Sequence, residues 1–157
     1  MDFAPYFWNE RDGERLSSQI KVLSFDNSLD ADVVTAVLNG SLFYWWFIVH
    51  SDCRHLNLRE LQSFPLSLEK MSDELKRALS KLKQDLMQDY QQHSQRKKCH
   101  YQTTGEVVYD EFYPGKSKAI LDQIDDLLAN HYGFGPEELD AIKNYDIKYR
   151  LGLNSEG

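Results

Sequence analysis

Ser72-Asp73-Glu74-Leu75-Lys76-Arg77-Ala78-Leu79-Ser80-Lys81-Leu82-Lys83-Gln84-Asp85-Leu86-Met87-Gln88-Asp89-Tyr90 decides the architecture. Together with Leu68 and Met71 ahead of it, Leu75, Leu79, Leu82, Leu86 and Tyr90 recur three or four positions apart. That is the period of a helix with one buried stripe, whereas a half-buried strand repeats every second residue. Ser72 or Ser67 can cap its start. The chain stays helix-compatible as far as Gln95, and Arg96-Lys97-Lys98 ends the apolar period. The stripe is narrow and suits a two-helix hairpin or a short coiled-coil seam.

Downstream, Tyr101, Val107, Val108, Tyr109, Phe112 and Tyr113 stand among Thr, Gly and Glu, which predicts a loop or short hairpin ended by Pro114-Gly115. Ile120, Leu121, Ile124, Leu127 and Leu128 then mark a helix from about Ser117 to Tyr132, stopped by Gly133 and Gly135. Pro136 opens the next helix, with Glu137 and Glu138 at its positive end. Upstream, Tyr6-Phe7-Trp8 and Ile20 to Phe25 read as short strands, with Gly13 in a turn between them. Asp30 is placed to cap a helix through Val33, Val34, Val37 and Leu38, which Asn39-Gly40 stops. Ser41 can cap a second helix, Leu42 to His50, apolar almost all round and so expected to be the most buried element. His55 to Leu58 alternates like a strand or leads into a helical turn over Arg59 to Phe64.

These elements give an α+β fold, mainly α. A small strand-containing head (1–65) precedes a helical section (66–152) with one long amphipathic helix, and residues 153–157 form a frayed tail.

The 157 residues carry 18 Lys and Arg against 25 Asp and Glu, a net charge of −7. That balance argues against a free-standing nucleic-acid binder, whose affinity comes chiefly from phosphate neutralisation, but it leaves room for a local basic face. Two cysteines, Cys53 and Cys99, lack a CxxC partner or a Cys/His ligand set and read as reduced thiols. The longest apolar run, Leu42 to Val49, is far short of the about 20 residues of a membrane span. The start lacks a signal pattern. A soluble, cytoplasmic protein is the expectation.

No residue set reads as catalytic or as a metal site. The histidines are dispersed, with no pair four apart. Asp146-Ile147-Lys148 matches part of a metal-dependent nuclease pattern by letters, but no strand precedes it, and a helix end with Lys148 and Arg150 near its negative pole is the simpler reading. Arg96, Lys97 and Lys98 are candidate phosphate contacts, against a solvated helix end as the alternative. Arg54, His55, Asn57 and Arg59 form a second candidate set, since Arg and Asn suit bidentate contacts to base edges. Phe43-Tyr44-Trp45-Trp46-Phe47 reads as core.

Two segments carry a family resemblance. One is Val37-Leu38-Asn39-Gly40-Ser41-Leu42-Phe43-Tyr44-Trp45-Trp46-Phe47, continued by Ser51-Asp52-Cys53-Arg54-His55-Leu56-Asn57 and Phe64-Pro65-Leu66. The other is His131-Tyr132-Gly133-Phe134, Glu138-Leu139-Asp140 and Asn144-Tyr145-Asp146-Ile147-Lys148-Tyr149-Arg150. Together they resemble the C-terminal region of adenine-specific DNA methyltransferases of Type II restriction–modification enzymes. The resemblance implies double-stranded DNA as a partner, with Lys148 and Arg150 joining the candidate contacts. It implies S-adenosylmethionine and base flipping in a catalytic half. The family's Asn/Asp-Pro-Pro-Tyr/Phe string and a glycine-rich cofactor turn are absent here, so this chain is expected to bind no cofactor and to work beside a methyltransferase catalytic domain in the same or a partner chain. The alternative expectation is a protein-interaction module whose long helix packs on another subunit or, as a homodimer, on a second copy.

Overall fold

Asn27 begins the helical part of the molecule: its side chain accepts from Asp30 N at 2.8 Å and caps α1, Ser28–Asn39. Asp30 therefore sits in the first turn and is not the cap. The structure is a computed structural model and describes residues 1–16 and 20–150. Gly40 ends α1 and immediately precedes α2, Ser41–His50, the two helices meeting at a 65° bend. Next come α3 (Leu58–Ser63), a short 3-10 turn at Leu68–Lys70, and the long α4 (Asp73–His93). Ser72 caps α4 through Leu75 N, and the helix ends two residues before Gln95. After a hairpin follow α5 (Lys118–Tyr132), α6 (Pro136–Asn144) and the single turn α7 (Ile147–Arg150). The element at Arg59 to Phe64 is thus the helical turn, and Pro136 opens its helix as the sequence predicts.

The apolar stripe of α4 is buried: Leu79 and Leu86 are fully inaccessible, and Met87 and Tyr90 nearly so. α5 meets it with Leu121, Ile124 and Leu128, and α1 with Val33, Ala36 and Val37. α2 contributes less than its composition predicts. Leu42 and Phe43 are buried, but Tyr44 to Ile48 are half-covered and Val49 and His50 are exposed. The reason is placement: the first turn of α2 is buried in the core, whereas Trp45, Trp46 and Phe47 pack against it with one side open, partly shielded by Phe64.

The sheet draws on both ends of the chain. Its order is β2-β1-β4-β3, antiparallel throughout. β1 is Phe7–Asn9, β2 Gly13–Glu14, β3 Gln95–Tyr101 and β4 Gly105–Glu111. Phe7 faces Tyr109 across β1 and β4, so half of the sheet comes from beyond residue 65. The fold is α+β and mainly helical. Arg96-Lys97-Lys98, predicted at a helix end, lie instead on β3, because Gly105 at φ +69° closes a tight reversal that pairs 95–101 with 105–111. The strand predicted at Ile20 to Phe25 does not form: residues 20–25 belong to no regular element and lie along α1, where they have no neighbouring strand. The predicted frayed tail, 153–157, lies outside the described residues.

Among the described residues no single helix is long and apolar enough to cross a membrane. The bent α1–α2 pair passes such a test by length and composition, yet α1 buries its inner face against α4 and α5.

Candidate functional site

Asp125 organises the junction from which the site is built. It lies on the buried side of α5, one position beyond Ile124, with 2% of its surface exposed. Its Oδ1 accepts from Ser41 N at 2.8 Å and from Leu42 N at 3.3 Å, so a residue of α5 caps α2 where no local side chain does. Ser41 is therefore the first residue of α2 rather than its cap. Burial pushes the Asp125 carboxyl up, against the opposing pull of its contacts with Ser41 and Leu42 and of the Arg150 charge. Its Oδ2 is buried and has no hydrogen-bond partner among the described residues.

Arg150 reaches the same junction from α7. Its Nη2 donates to Ser41 Oγ at 2.7 Å, and its guanidinium lies 4.9 Å from the centre of the Tyr44 ring. Tyr44 sits one turn into α2. Burial and the neighbouring Asp146 charge push its phenol up, Arg150 pulls it down, and Tyr145 and Cys53 are also near enough to act on it. Cys53 (φ +57°) and Asp146 (φ +50°) are the positive-φ residues other than glycine among the described residues. Such a conformation strains an L side chain. Cys53 N donates to Ser51 Oγ and Arg54 N to Asp52 Oδ1, which folds the 51–54 turn onto itself.

Beside Tyr44 opens a cavity of about 320 Å³, lined by Phe43, Tyr44, Phe47, Leu56, Tyr90 and Arg150, among others. Tyr90, whose phenol burial pushes up to about 12, donates to Asn39 Oδ1 at 3.4 Å on another wall. A larger trough of about 630 Å³ runs along the outer face of α1, between Phe3, Val22, Phe25 and Val34, and shares Leu38, Asn39 and Leu56 with the first.

The nine candidate contacts separate into groups. Arg96, Lys97 and Lys98 are paired across the hairpin: Arg96 with Asp110 (2.9 Å), Lys97 with Glu111 (3.5 Å) and Lys98 with Glu106 (2.6 Å). Arg96 also stacks 3.9 Å from the Tyr6 ring centre. Arg59 pairs with the buried Glu60, whose Oε2 accepts from Asn57 N at the start of α3. The Asn57 amide donates to His55 O. Arg150 is held at the Ser41 junction. Arg54, His55 and Lys148 are exposed, and neither Arg54 nor Lys148 has an ion-pair partner among the described residues. Asp146-Ile147-Lys148 straddles the start of α7 and not a strand. Among the described residues no cluster of three His, Cys, Asp or Glu is arranged to hold a metal ion.

Compared with family models, with curated proteins and with solved structures, the chain matches none.

Tyr44, Asn39, Tyr90 and Asp125 are site residues that the sequence reading did not single out. Tyr44 was hidden in an aromatic run that reads as core. Asp125 left a visible trace: it falls on the helical stripe Leu121, Ile124, Leu128, where a carboxylate needs a buried donor.

Proposed function

We propose that the chain contributes target-DNA recognition and scaffolding as the C-terminal part of a cytoplasmic adenine-specific DNA methyltransferase of the restriction–modification kind. In this reading it carries no active site. S-adenosylmethionine and the methyl transfer belong to a catalytic domain in the same or a partner chain. One observation carries the proposal. Parts of the two stretches on which the resemblance rests meet in the fold although about 90 residues separate them: Tyr44 of 37–47 and Leu56 of 51–57 line one cavity with Arg150 of 144–150, and Arg54, His55 and Lys148 beside them are exposed. Unpaired cations are the ones available to displace counterions from a DNA backbone. The charges of β3, already matched by β4, are secondary.

Fluorescence anisotropy with a 30-base-pair duplex tests this. Two or three phosphate contacts predict a slope of about −2 to −3 for log K against log salt. No binding at low salt sinks the DNA reading.

A protein-interaction role is the second reading, and the trough along α1 favours it. Val22 is 75% exposed, and Leu23, Phe25 and Leu56 are also open to solvent around it. Clustered apolar exposure marks contact surfaces. Concentration-dependent sedimentation of the chain, without DNA binding, supports that reading over the first.

A further inference from the structure

β3 ends the sheet, and its outer side meets no strand among the described residues. Alternate residues of an antiparallel strand turn both N–H and C=O to the same side, so about half of those in β3 point theirs away from β4. Such an open row is a template for another extended chain. We infer that the outer edge of β3 takes an extended, acidic segment of a partner protein as a further strand of the sheet.

The side chains of β3 choose the sign of that segment. Arg96, Lys98 and His100 fall on one face at alternate positions, and all three are exposed. Arg96 and Lys98 find their carboxylates on β4, in Asp110 and Glu106, and still keep 56% and 65% of their side-chain surface open. Each cation thus has an acid on its inner side and solvent on its outer side. A strand laid along the edge with Asp or Glu at every second position puts a carboxylate on that outer side, so opposite charges face each other across the ladder. The other face of β3 carries Lys97, Cys99 and Tyr101, the last 54% exposed. That face suits apolar residues at the intervening positions of the partner.

Other occupants fit less well. A second copy paired antiparallel about the centre of β3 sets Lys98 against Lys98, and like charges directly opposite are destabilising. A DNA duplex is a dense polyanion, whereas the hairpin balances Arg96, Lys97 and Lys98 with Asp110, Glu111 and Glu106 and offers no net positive charge. An apolar strand would cover the edge cations without supplying a counter-charge. An acidic strand satisfies the backbone groups and the cations together, with main-chain hydrogen bonds giving affinity and alternate side chains giving specificity.

The probe is a fluorescent seven-residue peptide of alternating Glu and Val, matched to the length of β3, with anisotropy on the full chain as the readout. One control replaces each Glu by Lys. Two others carry N-methyl groups on either the Glu amides or the Val amides, since only one alternate set can face β3. The expected result is about tenfold tighter binding of the Glu peptide than of the Lys peptide. N-methylation of one set should abolish binding and that of the other should not, and amide exchange should slow in β3 and in no other strand. Lys98→Glu combined with Glu106→Lys keeps their pair inside the hairpin with its polarity reversed. That double variant should weaken the Glu peptide about fivefold. Equal binding of the Glu and Lys peptides overturns the inference, as does indifference to both N-methylations. No binding up to about 1 mM overturns it too. Concentration-dependent protection of β3 without peptide overturns it in favour of a second copy, and displacement of the peptide by a DNA duplex overturns it in favour of nucleic acid.

Discussion

Asp125 Oδ1 lies 2.8 Å from Ser41 N, a hydrogen bond between residues 84 positions apart that substitutes for the missing local cap of α2. One carboxylate thereby ties α5 to the α1–α2 elbow. Asp125→Ala leaves the Ser41 and Leu42 N–H groups buried without an acceptor, and each such group costs about 1–3 kcal/mol. A loss in that range or above is expected in urea unfolding, with an unchanged m-value.

The same pair makes stability depend on pH. Burial raises the Asp125 carboxyl in the folded protein above its ordinary 3.8. Its protonated form is thus favoured by folding. That contribution is full below pH 3.8 and is lost as pH rises through the raised value. Asp125→Asn keeps an acceptor for Ser41 N and does not titrate. Its stability relative to the parent should therefore climb across that window and then level off. A difference that is flat with pH, read from paired urea titrations, contradicts this.

Gly40 is constrained by its neighbour and not by its backbone angles. Its φ of −66° is open to any residue, but a Cβ there would stand 3.0 Å from Asp125 Oδ1 and 3.4 Å from Val37 O. Gly40→Ala should cost about 1–3 kcal/mol through overpacking. Combined with Asp125→Ala, the loss should be less than the sum of the two, because the clash goes with the carboxylate. Strict additivity in the double-mutant cycle rejects the contact.

Lys83 is almost buried on α4 and pairs with Asp2 and, at 2.7 Å, with Asp32. Asp32 also accepts from Ser80 Oγ at 2.6 Å. Lys83→Met keeps the apolar stem and removes the charge, leaving Asp32 without a cation. The expected loss is about 3 kcal/mol, at the low end for breaking a buried pair because Asp32 keeps one donor and some water. Thermal unfolding at neutral pH checks it.

For DNA binding, the cations should not contribute equally. Arg54→Ala and Lys148→Ala are each expected to reduce the salt slope by about 1. Lys97→Ala and Lys98→Ala should change it by less, because their charges are already met by Glu111 and Glu106. Equal losses from both sets would assign the DNA face to the hairpin.

The helices were legible where one element's own pattern settles its state. The stripe of α4, Gly40 and Gly133 as stops, and Pro136 as a start are local features, and each lies where the sequence puts it. The misreadings share a different cause. Arg96-Lys97-Lys98 is too polar to show which state it takes, and only pairing with β4 makes it a strand. Ile20 to Phe25 has β-forming residues but no partner strand among the described residues. The exposure of α2 beyond Phe43 depends on how far its first turn reaches into the core, which no periodicity encodes. The candidate site was half visible: Arg54, His55, Lys148 and Arg150 were named, but Tyr44, which joins their segments, looked like packing.

The pairing of Phe7 with Tyr109 also sets an order of assembly. During synthesis β1 leaves the ribosome early, and its partner β4 follows only after α1 to α4 have been made. Closing so long a loop costs conformational entropy before any ladder hydrogen bond repays it. The helical layer can collapse on its own sooner, through contacts that are nearer in sequence. In a pulse-labelled hydrogen-exchange experiment the amides of α4 should gain protection first and those of β1 last. Until then Tyr6, Phe7 and Trp8 are an unpaired aromatic strand, and the nascent chain's period of risk for aggregation lasts as long as that wait.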